Sequence, residues 1–331
     1  MEKRFDESVP SLRLAGGVDI PQIGFGTFKI PACDTQRAVE EALTLGYRHV
    51  DTAAAYNNEE GVGAALKALG KEDEVFVTTK LRNADQGYES AMRAFEESRA
   101  KLGVDIVDLY LIHWPAPSQD RYVDAWRALI ELRDQGAVRA IGVSNFMREH
   151  LERIELETGQ LPCINQIESH PGYWQPDLEE LCVSKGIAIE AYSPLGHGGD
   201  IASAPVVHAA ERLGVTPAQV VLRWHLQKAM SLFPSLPTST ACGQTWMCWV
   251  SSSVLMTSPR WMGLTRGGTG AVTTRIPSTG LKRSRTCSRE GTCSCWDREC
   301  AGRSRSIADV TGQKGQDKER LIWLLSRHAL F

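Results

Sequence analysis

Four ionisable side chains in this chain have the types and the spacing to do proton chemistry together. Asp51 and Tyr56 lie in GYRHVDTAAAYNNEEGVG, Lys80 in VFVTTKL and His113 in VDLYLIHWP. A phenol has a reference pKa of about 10, so it keeps its proton at neutral pH and yields it reluctantly. A lysine ammonium beside it stabilises the phenolate and makes Tyr56 a better acid. A carboxylate such as Asp51 would keep that lysine charged and in place, and His113 could donate a hydrogen bond that orients a carbonyl oxygen. The set suits a reaction that delivers a proton to oxygen while a hydride reaches carbon. Each residue alone has a duller account: Asp51 as a helix cap or ion-pair partner, Tyr56 as a packed aromatic, His113 as a satisfied core histidine. Four of them at the ends of strands argue for a site.

The elements that must hold these residues alternate. Short apolar runs at Gln22–Gly24, Tyr47–Asp51, Val75–Lys80, Val107–His113, Ala137–Val143, Ile164–Ile167 and Ile187–Tyr192 read as strands. Amphipathic stretches separate them. In TQRAVEEALTLG, Ala38, Val39, Ala42 and Leu43 share one face, and VDAWRALIELRDQG ends at Gly136, where a helix C-cap belongs. Strands separated by helices of this length form a parallel sheet with right-handed crossovers. Seven such units before residue 228 fit a (β/α)8 TIM barrel, whose active sites lie at the C-terminal strand ends. No G-x-G-x-x-G follows the first strand, as an open dinucleotide-binding sheet would require. Upstream, LRLAGGVDIPQIG predicts a hairpin turning at Gly16-Gly17 that plugs the barrel floor. VTPAQVVLRWHLQK predicts a helix begun by Thr216-Pro217, with strand eight to follow.

The segments around Asp51, Tyr56, Lys80 and His113, with RAIGVSNF, INQIESHP and AYSPLG, resemble the aldo-keto reductases, closest to the bacterial 2,5-diketogluconate reductase type. The resemblance covers residues 1–228 and implies NADPH-dependent reduction of aldehydes and ketones by a catalytic tetrad of Asp51, Tyr56, Lys80 and His113. It further implies that Ser144, Asn145 and Gln166 hydrogen-bond the nicotinamide carboxamide and that Tyr192 stacks on the ring. Gly26 and Thr27 would line the nicotinamide end, Ser193 and Leu195 would contact the pyrophosphate, and Phe28 and Trp114 would wall the substrate pocket. Simple packing accounts for the two aromatics almost as well. Monomer is the family's default state.

The last third breaks the pattern. Residues 1–228 hold 23 Lys and Arg against 34 Asp and Glu, whereas residues 229–331 hold 14 against 6, and six of the nine cysteines. The lysine and arginine that the family pairs with the adenosine 2′-phosphate are missing from LQKAMSLFPSLPTSTACGQTWMCWVSSS. Trp246-Met247-Cys248-Trp249 must be encoded TGG ATG TG(T/C) TGG, which one base upstream reads (Met/Leu/Val)-Asp-Val-Leu. The same shift permits Gly-His-Val-Val-Ile-Pro-Lys-Ser from Lys228 through Leu236, which is the family's ending with its lysine. The expectation is a frameshift near Lys228–Ala229, a disrupted eighth unit and an irregular tail. Ser231–Phe233 is still apolar enough to fill the strand-eight slot briefly, ended by Pro234. Cys293, Cys295 and Cys300 then need no metal, and the tail's basic charge needs no nucleic acid.

Two functions compete: a carbonyl reductase, favoured by the tetrad, and a catalytically impaired barrel that only binds nucleotide or a partner protein, favoured by the scrambled ending. A reductase fused to a nucleic-acid or metal module is the third and weakest. No apolar run reaches the roughly 18 residues of a membrane span. MEKRFDESVP has no apolar core of a signal peptide, so the expected location is the cytoplasm.

Overall fold

A computed structural model of the protein describes residues 11–234. The tail from residue 235, with its cysteines and the stretch IWLLSRHALF, lies outside the described residues.

Ser11–Arg13 (β1) pairs antiparallel with Asp19–Pro21 (β2), and the chain turns between them at Gly16 and Gly17, with φ of 90° and 86°. That left-handed backbone is open to glycine at no steric cost. The hairpin closes the bottom of the barrel. Leu14 and Ile20 pack against Phe76, Leu109, Leu111, Ala140 and Ile164, which come from four different strands.

The barrel strands and helices then alternate: Phe25–Gly26 (β3), Ala32–Thr44 (α1), His49–Asp51 (β4), Glu59–Leu69 (α2), Phe76–Leu81 (β5), Tyr88–Leu102 (α3), Val107–Ile112 (β6) and Tyr122–Asp134 (α4). They continue through Val138–Ser144 (β7), Arg148–Thr158 (α5), Ile164–Glu168 (β8), Pro176–Ser184 (α6), Ala188–Tyr192 (β9), Ala204–Leu213 (α7), Pro217–Gln227 (α8) and Ser231–Leu232 (β10). All pairs from β3 to β10 are parallel. Leu232 N donates to Gln22 O at 2.9 Å and Gly24 N to Leu232 O at 2.8 Å, so the last strand meets the first and the cylinder closes. The architecture is the expected (β/α)8 barrel. Its eighth strand is two residues long and stops before Pro234; the helix that would follow lies outside the described residues.

The helices form where the apolar spacing put them. On α4 the buried set Val123, Trp126, Leu129 and Leu132 follows the three-to-four spacing of one helical face, and Gly136 (φ 76°) ends the turn beyond it. On α8, Thr216 Oγ1 accepts from Gln219 N while Gln219 Oε1 accepts from Thr216 N. This reciprocal cap, with Pro217 in the first turn, is worth about 1 kcal/mol. The main apolar core lies between strands and helices, while strand residues of the other parity point into the barrel. At Gly142 on β7 an added Cβ would meet Ile164 Cγ2 at 2.6 Å and Leu111 Cδ2 at 2.7 Å. No larger side chain fits there unless its neighbours move.

Candidate active site

β4 and β5 place their last inward residues side by side. Lys80 Nζ donates to Asp51 Oδ1 at 2.6 Å and to Thr52 O at 2.9 Å, and both side chains are buried. Asp51 is followed by a short loop and a single 3-10 turn, Ala54–Tyr56, which swings Tyr56 back over the lysine. Lys80 Nζ lies 5.3 Å from the centre of the Tyr56 ring. His113, just past β6, stands edge-on to the same ring at 5.7 Å. The four residues singled out from sequence therefore converge at the C-terminal mouth.

Burial governs their protonation. It lowers the His113 imidazole to about 3, helped by Lys80, so this ring is neutral at physiological pH. Burial pulls the Lys80 ammonium down, but Asp51, Tyr56 and Glu190 together hold it above its ordinary value. Burial also raises the Tyr56 phenol; Lys80 opposes the rise and Asp51 adds to it. Lys80 thus acts in the expected direction, although the low-polarity surroundings outweigh it. Burial raises the Asp51 carboxyl against the pull of Lys80.

The residues assigned to a nicotinamide lie on the next three strands. Asn145 has φ 61°, and its Nδ2 donates to His113 O and to Ser144 Oγ, each at 3.0 Å. Its Oδ1 accepts from the Tyr192 hydroxyl at 2.9 Å. Ser144 Oγ donates to Gln166 O at 3.0 Å. Gln166 turns inward, and its Nε2 donates to Asp51 Oδ2 at 2.9 Å and to Glu190 Oε2 at 2.8 Å. Ser144, Asn145, Gln166 and Tyr192 are thus brought together and tied to the tetrad through Asp51 and His113.

The first barrel strand lies at Phe25–Gly26, just past the expected Gln22–Gly24, so Gly26 ends it and Thr27 follows, wholly buried, its hydroxyl donating to Asp51 O at 3.2 Å. Ser193 and Leu195 follow β9 in a loop where Ser193 has φ 49°. Leu195 packs against the cluster of Ala191, Leu222 and Leu232. Phe28 lies 5.1 Å from the Tyr56 ring and is 47% exposed, and Trp114 is 46% exposed. Both aromatics are open to solvent, and Phe28 lies against the Tyr56 ring.

Sequence reasoning passed over three supporting residues. Glu190, in the run IAIEAY, is a charged residue in an otherwise apolar strand, and that was its available signal. Asn58 donates from Nδ2 to Thr27 O at 3.0 Å and to Ile30 O at 3.2 Å, and accepts from Thr52 at 2.9 Å. It clamps the loop bearing Phe28 to the loop bearing Tyr56. Phe233 sits 5.6 Å from Lys80 Nζ, so residues past 228 help to form the site's surroundings. Among the described residues no group of three metal-ligating side chains is disposed to hold a metal, and no helix is long and apolar enough to cross a membrane.

A parallel eight-stranded barrel with a Tyr–Lys–Asp–His cluster at its mouth defines a class of carbonyl-reducing barrel enzymes. The aldo/keto reductase family pattern matches residues 22–199. An aldo-keto reductase of Mycolicibacterium smegmatis is 49% identical over 226 residues, covering 68% of this chain and 82% of that protein. The methylglyoxal reductase DkgA of Escherichia coli is 42% identical over 241 residues, covering 72% of this chain and 87% of that protein. A mutant of Gox0644 solved in complex with NADPH is 44% identical with a TM-score of 0.71, covering 73% of this chain and 89% of that one. The chain belongs to the aldo-keto reductase family and is an NADP-dependent oxidoreductase acting on carbonyl groups.

The residues present fit the nicotinamide end of that cofactor. Gln166 Oε1 accepts from no described residue, while both Nε2 hydrogens are spent on carboxylates. An acceptor is thereby left for a carboxamide N–H. The half-buried Tyr192 ring, fixed by its bond to Asn145, offers a flat face beside it.

Proposed function

We propose that this enzyme reduces small aldehydes and ketones to alcohols, with Tyr56 as the proton donor. Bound NADPH supplies the hydride. Asp51 holds Lys80, Lys80 favours the phenolate left on Tyr56, and neutral His113 donates a hydrogen bond that orients the carbonyl oxygen. Ser144, Asn145 and Gln166 hold the carboxamide, Tyr192 stacks on the ring, Gly26 and Thr27 back the nicotinamide end, and Ser193 and Leu195 meet the pyrophosphate. Phe28 and Trp114 wall a pocket for small carbonyls such as α-keto aldehydes, α-keto esters or diketo sugars. The methylglyoxal and glyoxal reductases among the relatives favour the first of these. We place the enzyme in the cytoplasm as a monomer. The observation that carries the reading is the 2.6 Å Lys80–Asp51 contact beneath the Tyr56 ring. NADPH oxidation followed at its nicotinamide absorbance across a carbonyl panel tests it, and an absence of turnover on every member would sink it.

A second reading rests on the sequence break. If residues 229–331 are translated out of frame, this chain lacks the cations that grip the 2′-phosphate and is an impaired form of the same reductase. Its domains are then strands one to seven of the barrel with their helices over 1–228 and an out-of-frame tail over 229–331, of which Ser231–Leu232 supplies the short eighth strand. The reversal of charge at that point and the codon constraints at Trp246–Trp249 support this. Sequencing the coding DNA across codons 225–240 decides it.

A further inference from the structure

Two carboxylates and one ammonium are enclosed together inside the barrel. Asp51 Oδ1 takes the ammonium of Lys80, while Asp51 Oδ2 and Glu190 Oε2 take the two hydrogens of a single nitrogen, Gln166 Nε2. The other Glu190 oxygen accepts from Ser231 Oγ at 3.2 Å and lies 3.9 Å from His49 Nε2. Strand register explains the arrangement. Gln166 pairs with Glu190, and Glu190 pairs with Ser231, so all three point into the barrel at one level. The mechanism above makes no use of Glu190, yet it is fully buried and shares its hydrogen-bond donor with a tetrad residue.

We propose that Glu190 is a positioning residue of the reductase site: through Gln166 its carboxyl fixes where Asp51 stands beneath Lys80, and a proton gained or lost at Glu190 is felt at that ammonium. The inference rests on the roles given above to Lys80 and Tyr56. The titratable groups facing Glu190 are Asp51 and His49 from β4, Lys80 from β5 and Cys163 just before β8. Burial lowers His49 to about 3 and pushes the Cys163 thiol up to about 12, so neither carries charge near neutrality. The ionised set is Asp51, Lys80 and, at high enough pH, Glu190. Two buried carboxylates against one ammonium leave an uncompensated negative charge, which a low-polarity interior opposes. Burial and then Asp51 accordingly hold the Glu190 carboxyl up at about 7. Above that pH Glu190 releases its proton to solvent and a second negative charge faces Lys80. The ammonium is then better satisfied and favours a Tyr56 phenolate less. Tyr56 becomes a weaker acid, and turnover falls as pH rises through the Glu190 transition.

The test is a side-chain NMR titration of the full chain, without cofactor, with labelled Asp, Glu and Lys. The Glu190 signal should move with a midpoint near 7, and the Asp51 and Lys80 signals should move with it. In Glu190→Gln, which keeps the size and an acceptor for Gln166, that shared movement should vanish. In Gln166→Leu, Glu190 should still titrate while the Asp51 response falls by at least half. The kcat profile of the wild type should drop through the same midpoint, and that of Glu190→Gln should be level there. A glutamate that merely supports the barrel would change the melting temperature and leave the Lys80 and Asp51 signals still. Asp51 and Lys80 signals that stay silent through the Glu190 transition, or that move unaltered in Glu190→Gln, would overturn the proposal. If the signals move together but no carbonyl is reduced, the coupling stands and the failure belongs to the proposed function.

Discussion

Lys80 Nζ stands 2.6 Å from Asp51 Oδ1 with both side chains out of solvent, at 0% and 1% exposure. A pair so enclosed is costly to break from one side, because the abandoned charge stays buried. Lys80→Met should destabilise the fold by about 3–5 kcal/mol. The same variant removes the cation that lowers the Tyr56 phenol, so the alkaline limb set by the phenol should move to higher pH. Urea unfolding and the pH profile of residual turnover measure the two effects. A profile left in place would refute the pairing of Lys80 with Tyr56.

Tyr56→Phe should remove the proton donor and little else. General acid catalysis is worth about 10²–10⁴-fold, and turnover should fall by that factor. The ring keeps its contacts with Phe28 and His113, at 5.1 and 5.7 Å, so NADPH binding should stay close to that of the wild type. Retained turnover would move the acid role to His113.

Stability should fall in mild acid, before most carboxylates are protonated. His49 and His113 are held at about 3 and His225 at about 4, burial being the main cause in each. Their folded values lie below the unfolded value of about 6.5, so between these limits the unfolded chain binds more protons. Each such histidine removes up to about 1.4 kcal/mol per pH unit as pH drops below 6.5. Glu190, raised to about 7, works in the opposite sense: its contribution is full below the unfolded carboxyl value and is lost as pH rises through 7. Asp51, also raised by burial, acts in the same sense as Glu190; the three histidines outweigh these two carboxyls, so urea midpoints should fall from pH 6 to pH 4.5. A flat or rising trend over that interval would show that these histidines are protonated in the folded state.

Repairing the reading frame should tighten the grip on NADPH. A charge-assisted hydrogen bond to phosphate is worth about 1.5–3 kcal/mol, and recovering one corresponds to roughly ten- to a hundredfold in Kd. Fluorescence titration of the chain as written and of its repaired counterpart provides the comparison. Equal affinities would mean that residues 229–331 supply a phosphate site of their own.

The sequence by itself determined the barrel and singled out the four residues that meet at its mouth. Seven apolar runs at even spacing demand parallel strands, and a strand-end position is a local property, legible for Asp51, Lys80 and His113 without any long-range contact. The Gly16-Gly17 turn and the Thr216-Pro217 helix start are local in the same sense. What only the tertiary structure decided is which distant strand ends face one another across the barrel. Gln166 and Asp51 are 115 positions apart, and only closure of the cylinder puts the amide of one on the carboxylate of the other. Glu190 reads as one charged residue in an apolar strand until Ser231, from the far end of the described chain, comes to lie beside it. Strand eight itself was decided by fit. Ser231 and Leu232 occupy the gap between β9 and Gln22–Gly24 because the open edges there leave backbone groups unpaired, and any short apolar segment that reaches them satisfies those groups.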